Sequence, residues 1–91
     1  MMSNKEAAQT QSDLEKRVAD LLFLPYMRVV IPEMDGSFRA EILEFPGCIA
    51  LGDTKEDALA ALEDVADGWI RSMAARGREI PPPMQKQETD R

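Results

Sequence analysis

Five acidic residues crowd one short stretch of this chain: Glu56, Asp57, Glu63, Asp64 and Asp67. Carboxylates that converge on one point can hold a pair of divalent metals about 4 Å apart and cut phosphodiesters. At helical spacing these five mostly share a polar face, which makes them solvated surface charge. Cys48 is the single cysteine, and the chain has no histidine. A cysteine nucleophile wants a base beside it, and none of the usual kind is present. The same two facts leave zinc without a ligand set. No phosphate-cradling glycine loop, nucleophile elbow or dinucleotide fingerprint is found. The residues therefore predict no enzyme, no cofactor and no metal. They point to binding, with Asp35, Glu41 and Glu44 as the side chains placed to meet a basic partner.

The charge balance agrees. Seventeen acidic against eleven basic residues give a net charge of −6 over 91 residues. Binding to a phosphate backbone needs clustered Lys and Arg, so no direct nucleic-acid contact is expected. An acidic surface instead steers basic proteins toward it. A lone cysteine allows no intrachain disulfide and fits a reducing compartment. The polar N-terminus carries no secretory signal, and the apolar stretch Leu21–Leu24 is far too short to span a bilayer. A cytoplasmic protein is expected.

The elements that position these residues follow from periodicity. Residues 1–11 are polar and are expected to be disordered. Ser12 and Glu15 form a capping box. Leu14, Val18, Leu21 and Leu22 then make one helical stripe that ends before Pro25, so 12–24 reads as an N-terminal helical extension. Such a helix is marginal alone and must dock. Its stripe, with Trp69, is the expected contact of a homo-oligomer, dimer or tetramer, and docking within the chain competes with that reading. Oligomerisation would add the buried area that so small a chain lacks.

Tyr26–Pro32 is rich in β-branched residues and reads as a strand. Asp35-Gly36 signals a hairpin. Ser37–Glu44 alternates, with Phe38, Ala40 and Ile42 on one face and Arg39, Glu41 and Leu43 on the other. Phe45-Pro46-Gly47-Cys48 suits a type II turn, and the apolar run Cys48–Leu51 fits a short buried strand. Thr54 caps a long helix over about 55–76, whose apolar face is Ala58, Leu59, Leu62, Val65, Ala66, Trp69, Ile70 and Met73. Gly77 suits the C′ position. Glu79-Ile80-Pro81 can supply a short final strand, and residues 84–91 form a polar tail. The fold class is α+β. A three-stranded antiparallel sheet plus a short fourth strand packs on one long helix and is preceded by an N-terminal helix.

With these pieces in order, the chain resembles the HicB family of bacterial and archaeal antitoxins. The resemblance is carried by Tyr26 and the apolar residues after it, Asp35-Gly36, Phe38, Pro46-Gly47-Cys48 and Gly52-Asp53-Thr54. Glu56-Asp57-Ala58-Leu59, Trp69, Gly77 and Ile80-Pro81 complete it. It spans the stretch 25–83, which it marks as a HicB-like domain. The resemblance implies a partial ribonuclease-H-like β-β-β-α-β fold and a non-enzymatic role. The implied partner is a small, basic, RNA-cleaving toxin of the HicA type, neutralised by steric occlusion. In a ribonuclease-H-like fold the first catalytic carboxylate comes from the middle of the first strand, where this chain has Arg28-Val29-Val30-Ile31. Many members also carry a C-terminal DNA-binding module. Only eight residues follow Pro83 here, so the chain is expected to lack one. The alternative is an orphan HicB-like homo-oligomer, structural or regulatory, with no toxin.

Overall fold

The computed structural model describes residues 4–85, with side chains described for 12–85. Its elements are α1 (Asn4–Leu22), β1 (Arg28–Pro32), β2 (Phe38–Ile42), β3 (Ile49–Gly52) and α2 (Lys55–Ala75). The strands form one antiparallel sheet in the order β1-β2-β3. Ala40 is the register mark, facing Val30 on one side and Ala50 on the other. The expected α+β architecture, a three-stranded sheet under a long helix with a helix before it, is the one observed.

Local chemistry sets each connection. Between β1 and β2, Gly36 N–H donates to Glu33 O (3.1 Å) and Glu33 N–H to Ser37 O (2.8 Å). Gly36 sits at φ +92°. This is a three-residue loop closed by a left-handed glycine, one residue longer than the tightest hairpin. Between β2 and β3, Cys48 N–H donates to Phe45 O at 3.0 Å with Gly47 at φ +80°, as a type II turn requires. Thr54 Oγ1 accepts from Asp57 N at 3.0 Å and caps α2. At the far end Gly77 donates to Ala74 O and Arg78 to Met73 O, the paired bonds of a Schellman cap.

α2 lies across one face of the sheet. Ala58, Leu62, Ala66 and Ile70 are buried against Ala40, Ile42, Cys48 and Ala50. The small side chains of Ala40 and Ala50 let the helix sit close. The approach is tightest at Gly52, where a Cβ would lie 2.3 Å from Ala58 N. Phe45 joins this core between Tyr26 (ring centroids 4.6 Å apart, tilted) and Trp69 (4.3 Å, stacked).

Two expectations are corrected, and of the two courses open to the N-terminal stripe the intrachain one is seen. α1 begins at Asn4, so Ser12 lies inside the helix and its capping box is unused. Glu6, Ala7, Ala8 and Gln9 are all good helix formers, which carries the helix upstream. Residues 1–3 of the stretch expected to be disordered lie outside the described residues. The homo-oligomer stripe docks within the chain. Val18 is buried in the core, and Leu14, Leu21 and Leu22 pack against it. Arg28 locks the docked helix, donating through Nη2 to Leu22 O (2.9 Å) and through Nε to Glu63 Oε2 on α2 (2.7 Å). Finally, 79–81 forms no strand. Pro81, Pro82 and Pro83 offer no N–H for a ladder. The segment is tied down by other means: Tyr26 OH donates to Pro81 O (2.6 Å), and Met84 N to Glu44 Oε2 (2.8 Å). Of the tail, residues 86–91 lie outside the described residues.

Candidate functional site

α2 covers one face of the sheet, and alternation along the strands defines the other. Val29 and Ile31 of β1 lie opposite Glu41 and Arg39 of β2, and Arg39 and Glu41 lie opposite Leu51 and Ile49 of β3. No described element packs on this second face. Ile49 is 45% exposed, Leu51 63% and Leu43 46%, and Met34 at the hairpin tip is fully exposed. Scattered exposed hydrophobes are ordinary, whereas several on one flat face mark a binding surface.

Charge is arranged on and around that face. At its centre Arg39 reaches Glu33 Oε2 through Nη1 (2.9 Å) and Glu41 Oε2 through Nε (2.9 Å). Arg39 Nε is sealed from solvent and, although it is ion-paired to Glu41, has no hydrogen-bond partner. The cationic centre is thereby neutralised by two carboxylates. Around Leu51 the rim is acidic. Asp35, Asp53 and Asp57, with Ser37 and Gly52, line a shallow hollow of about 520 Å³ beside it. Asp35 Oδ1 accepts from Ser37 Oγ (2.6 Å) and Ser37 N (3.0 Å). These bonds lower the Asp35 pKa below its ordinary value and keep the tip charged. An exposed leucine in a ring of carboxylates suits a partner that is basic around an apolar spot.

The residues singled out from the sequence are dispersed. Asp35 stands at the hairpin tip and Glu41 at mid-face, paired to Arg39. Glu44 is a correction: it is buried and accepts from Met27 N (3.0 and 3.2 Å) and Met84 N (2.8 Å). It anchors the C-terminal segment to the start of β1 and offers nothing to a partner. Leu14, Val18, Leu21 and Leu22 are engaged in the docked α1. Trp69 is half-buried, stacked on Phe45, and donates through Nε1 to Pro46 O at 2.9 Å. The sequence reading missed Leu43, Ile49, Leu51, Met34 and Asp53. Cys48–Leu51 read as a buried run, yet only Cys48 and Ala50 are buried. The available signal was position: a third strand beside a single covering helix has an outward face.

Cys48 is buried on the covered side. Burial pushes the Cys48 thiol up, Glu63 adds to the shift, and Arg28 opposes it, so the thiol is held protonated. Among the described residues no group of three Asp, Glu, Cys or His side chains converges as a metal site. Among them, too, no helix is long and apolar enough to cross a membrane.

No family model matches the chain, and no solved structure matches it. Two relatives do. The UPF0150 protein ssl0259 of Synechocystis sp. is 36% identical over 56 residues, covering 62% of this chain and 77% of the relative. The UPF0150 protein Ta0767 of Thermoplasma acidophilum is 26% identical over 58 residues, 64% of this chain and 84% of the relative. On the extent and identity of the first match, the chain belongs to the UPF0150 family.

Proposed function

We propose that this protein is an antitoxin-type binding module of the HicB kind. It neutralises a small, basic, RNA-cleaving toxin of the HicA type by covering the toxin's active surface. The observation that carries the reading is the uncovered sheet face, apolar at Ile49, Leu51 and Leu43 and rimmed by Asp35, Asp53 and Asp57. Such a face buries leucine and isoleucine against the partner, while the carboxylates select a cationic rim. The ordered motifs from Tyr26 to Pro81 support the same reading.

The test is co-expression with the neighbouring reading frame that encodes a short basic protein. The reading expects the toxin alone to arrest growth and to cleave RNA, with both effects cancelled by this chain and restored by Leu51→Asp. A neighbourhood with no such frame, and no growth rescue, would count against it. The free β3 edge favours a second reading, an orphan homo-oligomer without a toxin. It predicts recovery of this chain alone, as a defined oligomer.

A further inference from the structure

The two edges of the sheet are not alike. Leu43 N–H donates to Met27 O (3.0 Å) and Ile42 N–H to Cys48 O (3.3 Å). These two bonds set the phase of both ladders, because backbone groups alternate direction along a strand. Met27, Val29 and Ile31 turn their backbone groups toward β2, and Arg28, Val30 and Pro32 turn theirs outward. Cys48, Ala50 and Gly52 turn toward β2, and Ile49 and Leu51 turn outward. The β1 edge is therefore blunted. Pro32 has no N–H to offer and Arg28 is charged, two of the usual protections against strand addition. The β3 edge has neither. Ile49-Ala50-Leu51-Gly52 contains no proline and no charge, and α1 docks elsewhere, on α2 and beside β1.

We propose that β3 pairs with β3 of a second copy of this chain, antiparallel about a two-fold axis at Ala50. The pairing sets Ile49 opposite the partner's Leu51, and Ala50 opposite the partner's Ala50. The outward N–H and C=O groups of Ile49 and Leu51 then exchange four hydrogen bonds with their counterparts. On the open face, each Ile49 side chain meets the partner's Leu51 as a cross-strand apolar pair. Electrostatics chooses the antiparallel sense. It places Asp53 opposite the partner's Gly47 and holds the acidic ends apart, whereas parallel pairing stacks Asp53 on the partner's Asp53. That difference matters in a chain of net charge −6. The product is one six-stranded sheet with a continuous open face. The inference does not rest on the toxin reading.

The test uses the full chain and two readouts. Light scattering with size exclusion is expected to give twice the chain mass at high concentration. Amide exchange is expected to show protection of Ile49 and Leu51 N–H that rises with concentration. Leu51→Pro removes one outward N–H without touching the β2 ladder, and should weaken the dimer about tenfold or more. A monomer at every concentration overturns the proposal. So does a dimer whose Ile49 and Leu51 amides exchange freely. The exchange readout needs no substitution, so the proposal stands or falls even if Leu51→Pro does not fold.

Discussion

At the scale of single residues, the sharpest constraint is Gly52. Its φ is unremarkable, and what excludes a side chain is the α2 backbone: a Cβ would meet Ala58 N at 2.3 Å and Asp57 C at 2.7 Å. Backbone cannot yield as a side-chain tip can. Gly52→Ala should cost about 2–3 kcal/mol, read from the urea midpoint. Gly36→Ala, where nothing lies within 4 Å, strains only the turn. The buried thiol and phenol predict a pH dependence. Cys48 and Tyr26 both sit above their ordinary values of 9.0 and 10.0, each chiefly through burial, with Glu63 reinforcing the first and Glu44 the second. The folded state then keeps protons that the unfolded state releases, so this stability is fully present below about pH 9 and is lost as pH rises past it. Urea titrations at pH 8 and pH 10.5 should show the fall, and Cys48→Ala should remove its lower-pH part. Sequence reasoning located Cys48 in the core and Thr54 and Gly77 at the caps, because each acts on near neighbours. It misplaced Glu44, whose acceptor bonds reach residues 17 and 40 positions away. No local pattern announces such a role. Glu44→Ala should cost about 2 kcal/mol by orphaning the N–H groups of Met27 and Met84.

At the scale of elements, α1 shows what periodicity can and cannot say. The stripe Leu14-Val18-Leu21-Leu22 was legible, since spacing alone defines an apolar face. Its destination was not, because docking depends on α2 and on the Arg28 anchor, both distant in sequence. Val18 is 2% exposed and Phe23 is 91% exposed. Val18→Ala should therefore lower stability by about 2 kcal/mol, while Phe23→Ala leaves the melting temperature unchanged. The Glu15–Arg71 pair between α1 and α2 spans 3.4 Å and is partly solvent-exposed. A double-mutant cycle on it should return little or no coupling. The final segment failed the other way. Ile80 has strand propensity and does pack against the core, but the prolines after it cannot complete a ladder, and side-chain bonds from Tyr26 and Glu44 replace it. In β3 the apolar run was visible and its half-exposure was not. A run of four apolar residues reads the same whether one face or both are covered.

At the scale of the whole molecule, one helix covers one face of one sheet, and the face left over carries the exposed apolar side chains of the strands. The covered side is satisfied: Trp69, Tyr26, Arg28 and Glu44 all find partners within the chain. The open side carries Leu43, Ile49 and Leu51 beside a charged rim, in a molecule of net charge −6. Association with a cationic partner should therefore slow as salt is raised from about 50 to 500 mM, through the on-rate more than the off-rate. The most direct test of the binding account is a tagged pull-down from the native cells in mild salt, run in parallel on the natural chain and on Leu51→Asp. The account predicts a stoichiometric small basic protein that cleaves RNA when freed, is silent when bound, and is lost from the Leu51→Asp sample. Recovery of this chain alone from both samples would contradict it.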